Sequence, residues 1–291
     1  MSLTWAEENR PIDLHVHTTA SDGDLSPAGC VDAAKGLGLA AIAITDHDTM
    51  DGNAEALARG AEIGFEVVPG VELSVEYERL TVHILGYYPE PDAPALEAIL
   101  KGLRDHRDER NPRILNRLAE LGCPLDYAEL EAEAGGDVIG RPHIAALMIR
   151  KGYVASLTEA FDRYLAKGAA AYVDRVRPSP EAAIQAILAA RAVPVLAHPA
   201  AMGARSDEEV EAVVAQLKDA GLRGIEAHYH AYSPAQTAAC LRLAQRYGLL
   251  VTGGTDYHGS CKPEIQLGRG GGGMHVPYRL LLLLKEARER L

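Results

Sequence analysis

Residues 41–71 read AIAITDHDTMDGNAEALARGAEIGFEVVPGV, and this stretch decides the fold class. The apolar run Ala41–Thr45 is strand-length and gives way to a polar cluster, Asp46-His47-Asp48. Asn53–Gly64 then carries a helical pattern that stops on glycine, the residue best suited to a left-handed helix end. A second apolar run, Glu66–Val71, completes a strand–helix–strand unit of the kind that builds parallel α/β sheets. Asp48 reads as a capped turn ahead of the helix.

Working outward, further strand candidates are Ile12–His17, Leu80–Gly86, Val193–Ala197, Gly224–Ala227 and Leu249–Gly253, which brings the count to seven. Ser26-Pro27, Ser179-Pro180 and Ser233-Pro234 each place a capping hydroxyl before a proline at the first helical position. One stretch breaks the rhythm. From about Pro94 to Gly168 no strand is visible, and helices are expected over Ala95–Leu121, Arg141–Arg150 and Ser156–Ala166, with Gly135-Gly136 as a turn. The expected organisation is therefore a seven-stranded α/β body over residues 1–93 and 169–291, interrupted by a helical insertion over 94–168.

Composition excludes several classes. A formal net charge of −12 argues against a broad basic track for extended nucleic acid. The longest leucine run, Leu280–Leu284, is far short of the roughly 20 residues of a bilayer span, so no membrane association is expected. The N-terminal MSLTWAEENR is not signal-like, and Cys30, Cys123, Cys240 and Cys261 show no metal-binding spacing, which together point to a reducing, cytoplasmic setting. The odd ratio is eleven histidines against one Trp and two Phe.

Eight of those histidines lie in or just after a strand candidate: His15, His17, His47, His83, His198, His228, His230 and His258. Strand ends share one face of a β/α barrel, where catalytic groups gather. His15 and His17, two apart on a strand, face the same side and can reach one ion. Asp22 follows in a tight loop, His47 follows the second strand, and Glu72 closes the third, where a buried carboxylate needs partners. His83 sits in the fourth strand, His198 ends the fifth, and Asp256 and His258 repeat the alternate spacing after the seventh. A mixed set of imidazoles and carboxylates suits Zn²⁺, Mn²⁺ or Fe²⁺ better than the all-oxygen sites of Ca²⁺ or Mg²⁺.

Taken in order, Asp13-Leu14-His15-Val16-His17-Thr18, Ser21-Asp22-Gly23, Thr45-Asp46-His47, Gly70-Val71-Glu72, His83, Ala197-His198-Pro199 and Asp256-Tyr257-His258 resemble the motifs of the polymerase and histidinol phosphatase (PHP) family. The resemblance implies a distorted (β/α)7 barrel holding two or three divalent ions per chain, with Mn²⁺ the first choice. It implies His15, His17, Glu72 and Asp256 around one ion, Glu72, His83 and His198 around a second, and Asp22, His47 and His258 around a third. Asp46 would orient a ligand from behind, and Asp13 would either do the same or make a buried structural bond. In the insertion, Gly140-Arg141-Pro142-His143, Tyr164-Leu165 and Ala171-Tyr172-Val173 are similar to members that cleave phosphate esters of nucleotides, most closely the 3′,5′-nucleotide bisphosphate phosphatases, whose relatives trim short RNA from the 5′ end. The insertion would then be a substrate-binding cap. Arg141 and His143 would grip a phosphate, with Lys167, Arg175, Arg177 and Lys262 as nearby cations. His228 or His230 would supply a hydrogen bond or a proton, with Glu72 and Asp256 as the central catalytic carboxylates. Two other readings stand beside this one: a different phosphatase of the family, such as one for histidinol phosphate, and a non-catalytic module stiffened by metal.

Overall fold

The computed structural model describes residues 4–134, 139–174 and 177–291. Gly135-Gly136 and Arg175 therefore lie outside the described residues. The strands are β1 (Asp13–Val16), β2 (Ala41–Ile44), β3 (Glu66–Tyr77), β4 (Leu80–Tyr87), β5 (Val193–Leu196), β6 (Gly224–Tyr229) and β7 (Leu250–Gly254). They form one sheet in sequence order, and it nearly closes on itself. The seam between β1 and β7 carries a bridge between Val16 and Tyr257, with His17 N–H donating to the Tyr257 carbonyl at 2.9 Å.

Helices α1 (Trp5–Glu8), α2 (Pro27–Gly36) and α3 (Gly52–Ile63) precede β3. The insertion after β4 holds α4 (Pro94–Glu120), α5 (Tyr127–Ala134), α6 (Arg141–Arg150) and α7 (Leu157–Ala160), the last running into a π-helical turn at Phe161–Leu165. Helices α8 (Pro180–Ala189), α9 (Asp207–Asp219), α10 (Pro234–Tyr247) and α11 (Arg279–Glu289) follow. The three Ser-Pro starts behave as read: the Ser26, Ser179 and Ser233 hydroxyls accept from backbone N–H groups of the first turn.

Two expectations need correction. The β1–β2–β3 and β5–β6–β7 pairs are parallel, but β4 runs antiparallel to both β3 and β5. Only Glu78 and Arg79 link β3 to β4, and a parallel crossover needs a dozen residues or more. Glu72 consequently lies within β3 rather than at its end. Asp48 is not a helix cap: α3 has Asp51 before it with no side-chain cap, and Asp48 turns back with φ of 58° to accept from Ser74 N–H at 2.8 Å.

The apolar core falls into several clusters. The largest joins the inner strands to α8, α9 and α10 and includes Val71, Leu73, Ile84, Ile184 and Leu217. Leu96, Leu100 and Leu103, from the first half of α4, belong to it as well. Ile114, Leu115 and Leu118, from the second half of the same helix, pack instead with Ile144, Met148 and Leu165 inside the insertion. One helix thus ties the insertion to the barrel wall.

Candidate metal centre

Glu72 is the point on which the site converges. It is fully buried, and five imidazole nitrogens surround its two oxygens. His83 Nδ1 and His198 Nε2 lie 2.9 and 3.1 Å from Oε1. His47 Nδ1, His15 Nε2 and His17 Nε2 lie 3.0, 3.3 and 3.3 Å from Oε2. Asp256 Oδ1 faces His17 Nε2 at 3.1 Å and His15 Nε2 at 3.5 Å, while Asp22 Oδ1 faces His258 Nε2 at 3.4 Å. These atoms form three overlapping groups tight enough to share an ion: His15, His17, Glu72 and Asp256; His17, Asp22, His47 and His258; and His47, Glu72 and His83.

The chemistry of the donors fits metal ions. His15 Nε2, both ring nitrogens of His17, His47 Nδ1 and Glu72 Oε2 are buried without a hydrogen-bond partner. So many orphaned polar atoms in one place would be costly unless something binds them. Burial opposes ionisation of Glu72, but His47, His15 and His83 beside it hold the carboxyl well below its usual range. Asp22 and Asp256 are held down in the same way against burial, chiefly by His258. His17 is pushed up to about 9, since Asp256 and Glu72 outweigh its burial, whereas burial carries His83 down to about 4.

Backbone geometry aims several of these groups. His198 and Asp256, just past β5 and β7, take φ values of 30° and 54°. Such left-handed positions cost non-glycine residues on the order of 1–3 kcal/mol and persist where the surroundings enforce them. Asp46 accepts from Thr18 N–H and the Ser21 hydroxyl at 2.7 and 2.6 Å. It thereby fixes the loop that carries Asp22. Asp13 makes a structural bond: it accepts from Thr255 N–H at 2.9 Å and Gly268 N–H at 2.8 Å, and it also holds the His15 backbone N–H at 3.2 Å.

The sequence reading missed two groups, both on β6. Glu226, fully buried, lies 3.0 Å from His15 Nδ1 and accepts from the His198 backbone N–H at 2.8 Å. The Tyr229 hydroxyl donates to Asp256 Oδ2 at 3.0 Å. A glutamate inside the apolar run Gly224–Ala227 was the available signal for the first. His228 is turned the other way. A register shift between Glu226 and His228 sets it on the side of Gly253 and Val276, and burial together with the nearby Arg279 disfavours its protonation. His230 lies against Tyr229 with ring centroids 4.5 Å apart and the rings tilted at 51°, and Asp256 and Lys262 act on it electrostatically.

Two cavities flank the cluster and share Asp22, His47, His83, Pro142 and Phe161 in their walls. The first, about 390 Å³, carries the cations Arg79, Arg110, Arg141, Lys167 and Arg177. The second, about 360 Å³, is lined by His198, Tyr229, Asp256 and Lys262, with Lys262 Nζ 3.1 Å from Asp256 Oδ2. Arg141 donates to the Leu165 carbonyl at 2.8 Å and lies 5.6 and 5.7 Å over the Phe161 and Tyr172 rings. His143 does not join it at the cavity wall: its Nδ1 accepts from Gly140 N–H at 3.0 Å and so closes the start of its own helix.

A ring of histidines about one buried glutamate, at the mouth of a β/α barrel, defines a metal-dependent hydrolase site. Comparison with known proteins makes the assignment particular: residues 13–166 match the PHP domain, and the chain belongs to that family. It is 34% identical over 257 residues to the 3′,5′-nucleoside bisphosphate phosphatase of Chromobacterium violaceum, covering 85% of this chain and 87% of that one. It is 33% identical over 260 residues to a 5′-3′ exoribonuclease of Haemophilus influenzae, covering 89% and 94%. The crystal structure of a Bifidobacterium adolescentis protein proposed to be a metal-dependent phosphoesterase superposes with a TM-score of 0.85 at 31% identity, over 96% of both chains.

Proposed function

We propose that the protein is a metal-dependent phosphatase that removes the 3′-phosphate of nucleoside 3′,5′-bisphosphates, leaving a 5′-nucleotide and phosphate. The observation that carries this is the convergence of five imidazoles on Glu72 beside a cleft whose walls bring Arg110, Arg141, Lys167 and Arg177 near the cluster, together with Asp48, Glu76, Glu78 and Asp174. His15, His17, Glu72 and Asp256 would hold one ion, Glu72, His83 and His198 a second, and Asp22, His47 and His258 a third. Bound there, Mn²⁺, or alternatively Zn²⁺ or Fe²⁺, supplies Lewis acidity and positive charge where a phosphoryl group gains negative charge.

The chain's own residues do the rest. Glu72 and Asp256 set the spacing of the ligand groups. Arg141 and Lys167, from the insertion acting as a cap over residues 94–168, hold the substrate's other phosphate, so binding energy far from the reacting bond orients it. His143 serves this indirectly by fixing the start of the helix that presents Arg141. His230, at the end of β6, is the candidate proton donor. Among the described residues no helix is long and apolar enough to cross a membrane, and with the four thiols free this suits a cytoplasmic enzyme for a small nucleotide.

A second reading, trimming of short RNA from its 5′ end, draws on the second cavity: a scissile phosphate at the cluster would have room on both sides. Phosphate release from adenosine 3′,5′-bisphosphate, 5′-AMP and histidinol phosphate, and mononucleotide release from a 5′-phosphorylated tetranucleotide, each with added Mn²⁺, test the assignment. A clear preference for the bisphosphate supports it. Equal or greater turnover of 5′-AMP or histidinol phosphate defeats the nucleotide reading, and no turnover of any ester favours a non-catalytic module.

A further inference from the structure

Strand β6 supplies none of the nine residues proposed to hold metal, yet it touches three of them. Glu226 takes His15 Nδ1 on one oxygen and the His198 backbone N–H on the other. Tyr229 takes the outer oxygen of Asp256. Residues three apart on a regular strand point to opposite faces. Here Glu226 pairs with Thr252 but His228 pairs with Gly253, so one residue is bulged and both Glu226 and Tyr229 reach the barrel mouth.

We propose that Glu226 and Tyr229 are positioning residues of the metal centre, set side by side by the β6 bulge to fix the ligand atoms of His15, His198 and Asp256. This rests on reading the cluster as a metal centre. Each contact settles a choice that the ligand could otherwise make wrongly. An imidazole can carry its proton on either nitrogen, and a buried acceptor at Nδ1 keeps the Nε2 lone pair of His15 facing Glu72 and Asp256. His198 stands in a left-handed turn, and the Glu226 carboxylate secures the N–H of that turn. Asp256 can turn either oxygen inward; the Tyr229 hydroxyl, with Lys262 Nζ, occupies Oδ2 and leaves Oδ1 to His15 and His17. One strand thus reaches ligands supplied by β1 and by the segments after β5 and β7.

The test uses the full-length chain stripped of metal and titrated with Mn²⁺ by calorimetry, as wild type, Glu226→Gln and Tyr229→Phe. Glu226 faces His15 Nδ1 and the His198 N–H with two accepting oxygens, whereas a carboxamide has one accepting end, so the glutamine variant either leaves a donor facing a donor or drives the His15 proton onto Nε2, the nitrogen that faces Glu72. Its Mn²⁺ dissociation constant is expected to rise roughly 10–100-fold. Tyr229→Phe should show a smaller rise, with the metal-free melting temperature unchanged. Wild-type Mn²⁺ affinity in both variants, or a lowered melting temperature without weaker metal binding, overturns the proposal. If Glu226→Gln does not fold, Tyr229→Phe decides alone, since it removes one hydroxyl and keeps the ring. A wild-type protein that binds none of Mn²⁺, Zn²⁺ and Fe²⁺ refutes the metal centre itself and this inference with it; wild-type binding with unaffected variants removes only the role of β6.

Discussion

Replacing Arg141 by methionine tests the division of labour between the barrel and the insertion. Methionine keeps an unbranched apolar stem between Phe161 and Tyr172 but removes the guanidinium. A hydrogen bond to a charged group contributes about 1.5–3 kcal/mol, which is roughly 10–150-fold in kcat/KM for a substrate whose second phosphate Arg141 grips. A simple ester such as p-nitrophenyl phosphate has no second phosphate, so its kcat/KM should change less than about 3-fold, equivalent to under ~0.7 kcal/mol. The substitution also carries a structural cost, because Arg141 donates to the Leu165 carbonyl and lies over two rings. That loss is about 2–3 kcal/mol and a drop of several degrees in melting temperature. Steady-state kinetics on adenosine 3′,5′-bisphosphate and the simple ester, at a temperature where the variant is fully folded, separate the two effects. The bisphosphate should lose in kcat as well as in KM. An equal fall on both substrates would refute the clamp and leave Arg141 as a brace for the turn at Leu165.

Four further outcomes are expected. His15→Ala should lose bound metal by elemental analysis and all phosphate release while still unfolding cooperatively; retained turnover would sink the assigned ligand set. Mn²⁺ binding near pH 7.5 should release protons, because metal-free His17 titrates at about 9 and must be neutral to ligate, so the binding heat should vary with the buffer's ionisation enthalpy. That raised value favours the metal-free fold fully below pH 6.5 and is lost as pH climbs through about 9, so the metal-free melting temperature should fall between pH 7 and 9.5. Gly254→Ala would bring a methyl within 2.3 Å of His15 Cβ and 2.4 Å of its backbone nitrogen, and should open the β1–β7 seam; unchanged metal affinity and melting temperature would show that the seam yields without consequence.

Much of the site was legible because its residues sit where strands end. Apolar runs such as AIAI and VPVL announce buried strands, and the polar residues directly after them mark the mouth. What escaped had physical causes. Glu72-Leu73-Ser74-Val75-Glu76-Tyr77 alternates with a period of two, the signal of a continuing strand, but ending β3 at Val71 hid the hairpin that reverses β4. The bulge in β6 exchanged His228 for Tyr229, and one extra residue in a strand leaves no mark on composition. His143 looked like a phosphate donor by motif, yet a histidine three residues after Gly140 can equally reach back to the helix start.

The reversed β4 has a mechanical consequence. Because β4 runs away from the mouth, the chain leaves it at the far end of the barrel, and the 27 residues of α4 span about 40 Å to bring the insertion back to the ions. The helix is a mast: its foot is stepped among Leu96, Leu100 and Ile184, and its head carries Ile114 and Leu118. Reach is then set by helix length, and heading by that length together with Pro112 inside the helix. Removing seven residues from its length would lower the insertion by about 10 Å and turn it by only about 20°, whereas removing five would swing it to the opposite side. The width of the cleft, and with it the size of the ester admitted, is in this sense adjustable in steps of two helical turns.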